Sequence, residues 1–175
     1  LVTAKKCTFD CLYCQIGRTT DLSCARETWV APEAIIAAVE NAVDPARPPD
    51  VITLAGSGEP TLYAALAELI DGIRRAAARS LPDQPPIPVV VLTNGSLLYD
   101  PEVADAVNHA QILAPSLDAG DAKTFKRINR PHPDLDFETV FAGLEQTTKR
   151  FGGTVRLEVM LVKGVNDSPE SLLHL

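Results

Sequence analysis

Three cysteines stand close together near the start of the sequence: Cys7, Cys11 and Cys14, with three and then two residues between them. Thiolates are soft ligands that suit iron–sulfur clusters, zinc or copper. Structural zinc sites are closed and tetrahedral, usually built from two paired knuckles, and this triplet has no second pair at matching spacing. The remaining cysteine, Cys24, lies ten residues past Cys14, and nothing in the spacing requires it at the same metal. A cubane iron–sulfur cluster usually takes a cysteine at every iron. Held by three, it leaves one iron open to a ligand from outside the protein, much as catalytic metal sites keep an open position. A zinc knuckle, or an iron–sulfur centre without catalysis, is the competing reading.

A second stretch with chemical potential is GSGEPTL, Gly56 to Leu62. Its glycines permit unusual dihedrals and close backbone approach, and Glu59 brings an acceptor-only carboxylate. An ordinary turn between strand and helix would use the same residue types. Later come TNG (Thr93–Gly95), PSLD (Pro115–Asp118) and VKGVND (Val162–Asp167). Arg156 and Glu158 alternate with Leu157, Val159 and Leu161, so the two charges share one face of an apolar strand. Burying them unpaired would be costly, so they should face a polar interior, toward a ligand or each other. The one concentrated basic run is Lys123 to Pro133, with Lys123, Lys126, Arg127, Arg130 and His132. Such a run can grip phosphate or carboxylate, or simply be a solvated face.

These residues need a scaffold. Short β-branched runs predict buried strands at Val51–Ala55, Pro88–Gly95 and Ala110–Asp118, with a longer one at Thr154–Gly164. Between them, apolar residues at helical spacing predict helices over Ala31–Val43, Thr61–Ser80, Asp100–Ala110 and Asp136–Phe151. Asp100–Pro101 and Asp136 supply helix starts, and basic residues occupy the last turn of the fourth helix. Asp118 is a candidate cap for the helix after its strand. Near-continuous apolar strands alternating with helices imply parallel βαβ units, either an open doubly wound sheet or a barrel. In both, ligands bind beyond the carboxyl ends of the strands. That edge carries the cysteine loop, GSGEP, TNG, PSLD and VKGVND, while the proline-rich loops Pro45–Pro49 and Pro82–Pro88 fall on the opposite edge.

Composition narrows the class. The 175 residues carry a formal charge of −7, a poor global match for nucleic acid. No apolar run approaches the roughly 20 residues that a membrane helix needs, and the start is unlike a signal peptide. Cysteines clustered in a cytoplasmic protein point to metal or redox chemistry rather than disulfides. The sequence opens on LVTA, the tail of a strand, and stops in SPESLLHL, the first turns of a helix, which reads as a fragment.

The spacing C-x₃-C-x₂-C, with Tyr13 directly before the last cysteine and GSGEP one helix later, resembles the radical S-adenosylmethionine (SAM) superfamily. In that superfamily three cysteines hold a 4Fe-4S cluster, and the methionyl amine and carboxylate of SAM chelate the remaining iron. Electron transfer then cleaves SAM to methionine and a 5′-deoxyadenosyl radical, which takes a hydrogen atom from substrate. The resemblance implies Cys7, Cys11 and Cys14 as cluster ligands. It implies Gly56, Ser57, Gly58 and Glu59 at the methionine end of SAM, with Ser57 replacing a glycine of the family's Gly-Gly-Glu-Pro motif. Tyr13, Ser116, Asp118 and Glu158 follow as weaker contacts. The implied fold is α/β, a partial (β/α)6 TIM-like barrel truncated here, with residues 1–175 forming a single core domain incomplete at both ends. The strings CTFDCLYCQIGRTT, GSGEPTLY, FKRINRPHP and VKGVND are similar to the iron–sulfur oxidoreductases related to wyosine-synthesising tRNA enzymes. The expected partners are an unidentified substrate (small molecule, peptide or RNA) and an external one-electron reductant, with no membrane.

Overall fold

The structure, a computed structural model, describes residues 1–2 and 5–173. Four parallel strands form the main sheet: β3 (Ile52–Leu54), β4 (Val89–Thr93), β5 (Ile112–Pro115) and β6 (Thr154–Val155). Their spatial order follows their sequence order. That is the winding of a partial barrel, since a doubly wound sheet reverses direction at its switch point. A separate two-stranded parallel pair, β1 (Lys6–Cys7) with β2 (Asp21–Leu22), carries the first cysteine. The predicted LVTA strand falls partly on Thr3 and Ala4, outside the described residues.

Helices α1 (Pro32–Ala42), α2 (Leu66–Ser80), α3 (Pro101–Val107), α4 (Ala122–Ile128), α5 (Phe137–Arg150) and α6 (Pro169–Leu173) complete the fold. The predicted starts at Asp100 and Asp136 are true N-caps, accepting from Glu102 N at 2.9 Å and Thr139 N at 2.7 Å. Asp118 does not cap α4. Asp121 does, accepting from the amides of Lys123 and Thr124 at 2.9 Å each.

Two sequence expectations are revised. The helix expected from Thr61 begins only at Leu66, after a single 3₁₀ turn at Pro60–Leu62. Glu27 holds this stretch extended by accepting from Ala64 N and donating to Leu62 O, both at 3.0 Å. The last strand, expected to run to Gly164, is regular only at Thr154–Val155. Its backbone stays hydrogen-bonded to β5 as far as Glu158, whose N–H reaches Pro115 O at 2.9 Å. It then leaves, because Asp118 Oδ1 takes the Met160 N–H at 2.9 Å.

The main core joins α2 to the sheet through Leu62, Tyr63, Leu66, Leu69, Ile70, Ile73, Val89, Val91 and Leu113, all buried. A second core of Phe9, Ala119, Phe125, Ile128, Leu135 and Val140 packs beneath Cys7, Cys11 and Tyr13. Phe9 meets Phe125 edge to face with centroids 5.3 Å apart, a geometry aromatic quadrupoles favour.

Candidate active site

The cysteine loop takes its shape from a segment far along the chain. Asp10 N–H is shared between Asn129 O at 3.0 Å and Arg130 O at 3.1 Å, and Leu12 N–H donates to Ile128 O at 2.8 Å. Arg130 adopts φ 47, a left-handed conformation that costs a non-glycine residue, and its carbonyl accepts within this contact. Buried Asp10 organises the other side of the loop, accepting from Thr19 N at 2.8 Å and pairing with Arg18 at 2.8 Å and Arg130 at 3.9 Å. Part of the basic run is thus bound to the loop, whereas Lys123, Lys126 and Arg127 are exposed on α4. Gly17, at φ 90, makes the turn that closes the loop, and Lys5 donates to its carbonyl.

Cys7, Cys11 and Cys14 are half-buried free thiols on this loop. Burial pushes the Cys7 thiol up to about 12, helped by the negative field of Glu59 and Cys11. Burial likewise pushes Cys11 up to about 11, with Asp118 and Cys14 adding to it and the Asn129 amide opposing it. The Cys7 and Cys11 thiols therefore feel one another across the loop and hold their protons tightly, so loading a metal on them must release protons. Among the described residues no three His, Cys, Asp or Glu side chains gather as ligands of a single ion. A cubane asks for something different, since each thiolate binds its own iron. Three unpaired thiols on one loop, two of them receiving N–H donors, fit that group. Asn94 Nδ2 lies 3.6 Å from Cys7 Sγ, and Asn129 Nδ2 lies 3.6 Å from Cys11 Sγ. Cys24 is half-buried and packs against both cores; burial raises its thiol too.

The GSGEP turn lies directly against this loop. Glu59 N–H donates to Lys6 O at 3.1 Å, one residue before Cys7. A Cβ on Gly58 would fall 1.7 Å from the same Lys6 oxygen, so only glycine lets the two segments meet. Gly56 differs: it is exposed, and a Cβ there would meet only Val2, at 3.8 Å. Ser57 is also exposed. The Glu59 carboxylate is buried and accepts from Thr61 N at 3.0 Å, Thr61 Oγ1 at 2.7 Å, Thr93 Oγ1 at 2.6 Å and Asn94 N at 2.8 Å. Burial raises its pKa although these donors pull it down. Its oxygens are therefore occupied by the protein itself, and its side chain shapes the turn.

The other strand ends converge on the same place. Asp118 is buried and accepts from Tyr13 Oη, from Asn129 Nδ2 at 2.9 Å and from Met160 N. Asn166 Nδ2 bonds Asp118 O and Met160 O at 2.8 Å each. Tyr13 and Asp118 are thus tied to each other. Ser116 is half-buried and pairs with Glu158 as an isolated parallel bridge. Arg156 and Glu158 are both exposed and form no ion pair among the described residues, so the internal salt bridge considered for them does not exist. A cavity of about 20 Å³ lies between Asn94, Ser116, Asp118 and Asn129 above Phe9, room for one water. Roomier hollows, such as one of 410 Å³ beside Arg74 and Arg75, touch none of the candidate residues. Thr8, Asp10, Asn94 and Asn129 were not singled out from sequence. The signal available was small polar residues within segments already assigned to the ligand edge or to the basic run.

Comparison with known proteins places this geometry in context. Residues 1–175 match the family model described as the Radical SAM superfamily. A Brachyspira hyodysenteriae protein named GTPase Obg is 38% identical over 172 residues, 98% of this chain and 24% of that protein. A UPF0026 protein of Helicobacter pylori is 36% identical over 169 residues, 96% of this chain and 52% of that protein. The chain thus spans about half the length of the UPF0026 relative. Among solved structures, TYW1 with a lysine-pyruvate adduct bound superposes with TM-score 0.63 at 20% identity, covering 97% of this chain and 57% of that one. Streptococcus suis SuiB bound to S-adenosylmethionine gives TM-score 0.67 at 16% identity, covering 97% and 34%. At these identities the two structures speak for the fold.

Proposed function

The chain belongs to the radical SAM superfamily, and on that premise we propose that Cys7, Cys11 and Cys14 hold a 4Fe-4S cluster whose open iron receives SAM. When bound, this cluster supplies the electron that cleaves the sulfonium to methionine and a 5′-deoxyadenosyl radical, which abstracts hydrogen from substrate. The carrying observation is that three free thiols share one loop closed against the Gly56–Glu59 turn.

The residues divide the work. Gly58 and Glu59 fix the turn against β1, leaving Gly56 and Ser57 exposed to accept the methionine end of SAM. Tyr13 and Asp118, bound to each other, brace the loop rather than offering free side-chain groups. Ser116 and Glu158, paired in an isolated bridge just beyond the ends of β5 and β6, are available for weaker contacts to the rest of SAM. Residues 1–175 form a single core domain. The substrate is a small molecule, a peptide or RNA, and the electron comes from an external one-electron reductant. Thiols that must stay reduced suit the cytoplasm. Among the described residues no helix is long and apolar enough to cross a membrane.

The test is anaerobic reconstitution of the full-length protein with iron and sulfide, followed by dithionite and SAM. Formation of 5′-deoxyadenosine, lost in each of Cys7→Ala, Cys11→Ala and Cys14→Ala, supports the reading. Cys24→Ala retains the cluster. A single zinc bound through all the cysteines, or a cluster that leaves SAM intact, overturns it.

A further inference from the structure

We propose that Asn94 and Asn129 are positioning residues that set the reduction potential of the cluster, each donating an amide N–H to one ligand sulfur. This rests on the cluster reading above. The two residues come from unrelated elements: Asn94 directly follows β4, and Asn129 ends α4. Each nonetheless points its side-chain nitrogen at a different cysteine, Cys7 or Cys11, at 3.6 Å.

The orientation of both amides is fixed by their other partners. Asn94 Oδ1 accepts the Ser96 N–H at 3.0 Å, so the oxygen cannot exchange places with the nitrogen. The nitrogen then faces Thr8 Oγ1 at 2.8 Å and Cys7 together. Asn129 Nδ2 faces Asp118 Oδ2 at 2.9 Å, an oxygen that also accepts from Tyr13 Oη, so the amide nitrogen rather than its oxygen stands there. Each nitrogen carries two protons, one for the oxygen partner and one for sulfur.

Reduction adds one electron to the cluster, and part of that charge falls on the cysteine sulfurs. An N–H donor stabilises the more negative state more than the less negative one. Hydrogen bonds to sulfur are a recognised control of cluster potential. Asn94 and Asn129 therefore make the cluster easier to reduce, and removing either makes reduction harder.

The experiment uses the full-length protein with its cluster reconstituted. Asn94→Ser keeps a short oxygen for the Ser96 amide but cannot reach Cys7. Asn129→Leu keeps the volume and withdraws the donor from Cys11. Midpoint potentials are read by electron paramagnetic resonance during redox titration. Each variant should retain its iron and shift the reduction equilibrium about tenfold toward the oxidised form, ~59 mV more negative for a one-electron couple. The double variant should shift further. Independently, reduced wild-type protein labelled with ¹⁵N in its asparagine side chains should show nitrogen coupling to the cluster spin, a measurement that needs no variant to fold. Unchanged or raised potentials, or absent coupling in a wild-type protein that carries its cluster, overturn this inference alone. A wild-type protein that takes up no such cluster overturns both this inference and the reading it rests on.

Discussion

Glu59 and Thr93 are joined across the ends of neighbouring strands by a hydrogen bond of 2.6 Å from the threonine hydroxyl to the carboxylate. With the amides of Thr61 and Asn94 and the Thr61 hydroxyl, it makes Glu59 a buried staple between the glycine turn and the segment after β4. The same carboxylate acts on the Cys7 thiol through its charge.

Removing this staple should be expensive. Glu59→Ala strands several buried donors, and each buried group left unpaired costs about 1–3 kcal/mol. The urea midpoint should fall accordingly. The pH dependence has a definite sign. Burial raises the Glu59 pKa, so the folded protein holds that proton more tightly than the unfolded chain. The associated stability is complete below the ordinary glutamate value and is lost as pH rises through the folded one. In apo-protein the stability difference between wild type and Glu59→Gln should shrink over that window, as denaturation at a series of pH values would show. A difference that grows with pH would contradict it.

The two glycines of the turn should respond differently. Gly58→Ala drives a Cβ into the Lys6 carbonyl and must displace β1, at a cost of about 3 kcal/mol or more. Gly56→Ala meets nothing closer than 3.8 Å and should leave stability within about 0.5 kcal/mol of wild type. If the methionine end of SAM lies on Gly56, that substitution should still weaken SAM binding about tenfold by calorimetry. Unaltered affinity would move SAM away from this residue.

Asp121 bears on the site through α4, whose C-terminal residues bind the cysteine loop. Asp121→Ala removes the cap and should cost about 1 kcal/mol, seen as a lower denaturation midpoint. Its bonds to Thr124, led by the hydroxyl, hold the Asp121 carboxyl below the usual aspartate value. Its contribution is therefore present above the ordinary aspartate range and disappears as pH falls through the lower folded value. Asp121→Asn retains a capping oxygen and should lack that acid dependence.

What could be read from sequence was mostly local. Asp100 and Asp136 announced their helices because a short carboxylate reaches amides two or three positions ahead. The cysteine triplet and glycine turn were legible through their own spacing, and the strand-end rule brought them to one edge. Asn94 and Asn129 were not legible, because the sulfurs they meet lie 87 and 118 positions away. Glu59 was read as facing a ligand because nothing nearby reveals that Thr93, 34 residues later, closes over it. The last strand was overextended because alternation continues past Met160, where the Asp118 side chain, from the loop after β5, captures the backbone.

The backbone bonds from Asp10 and Leu12 to residues 128–130 carry a consequence for biosynthesis. A nascent chain emerging amino end first displays its thiols long before their brace has been translated. Until the end of α4 leaves the ribosome, the loop lacks the contacts that shape it. The loop can therefore settle only late, after the synthesis of a helix that contributes no cysteine.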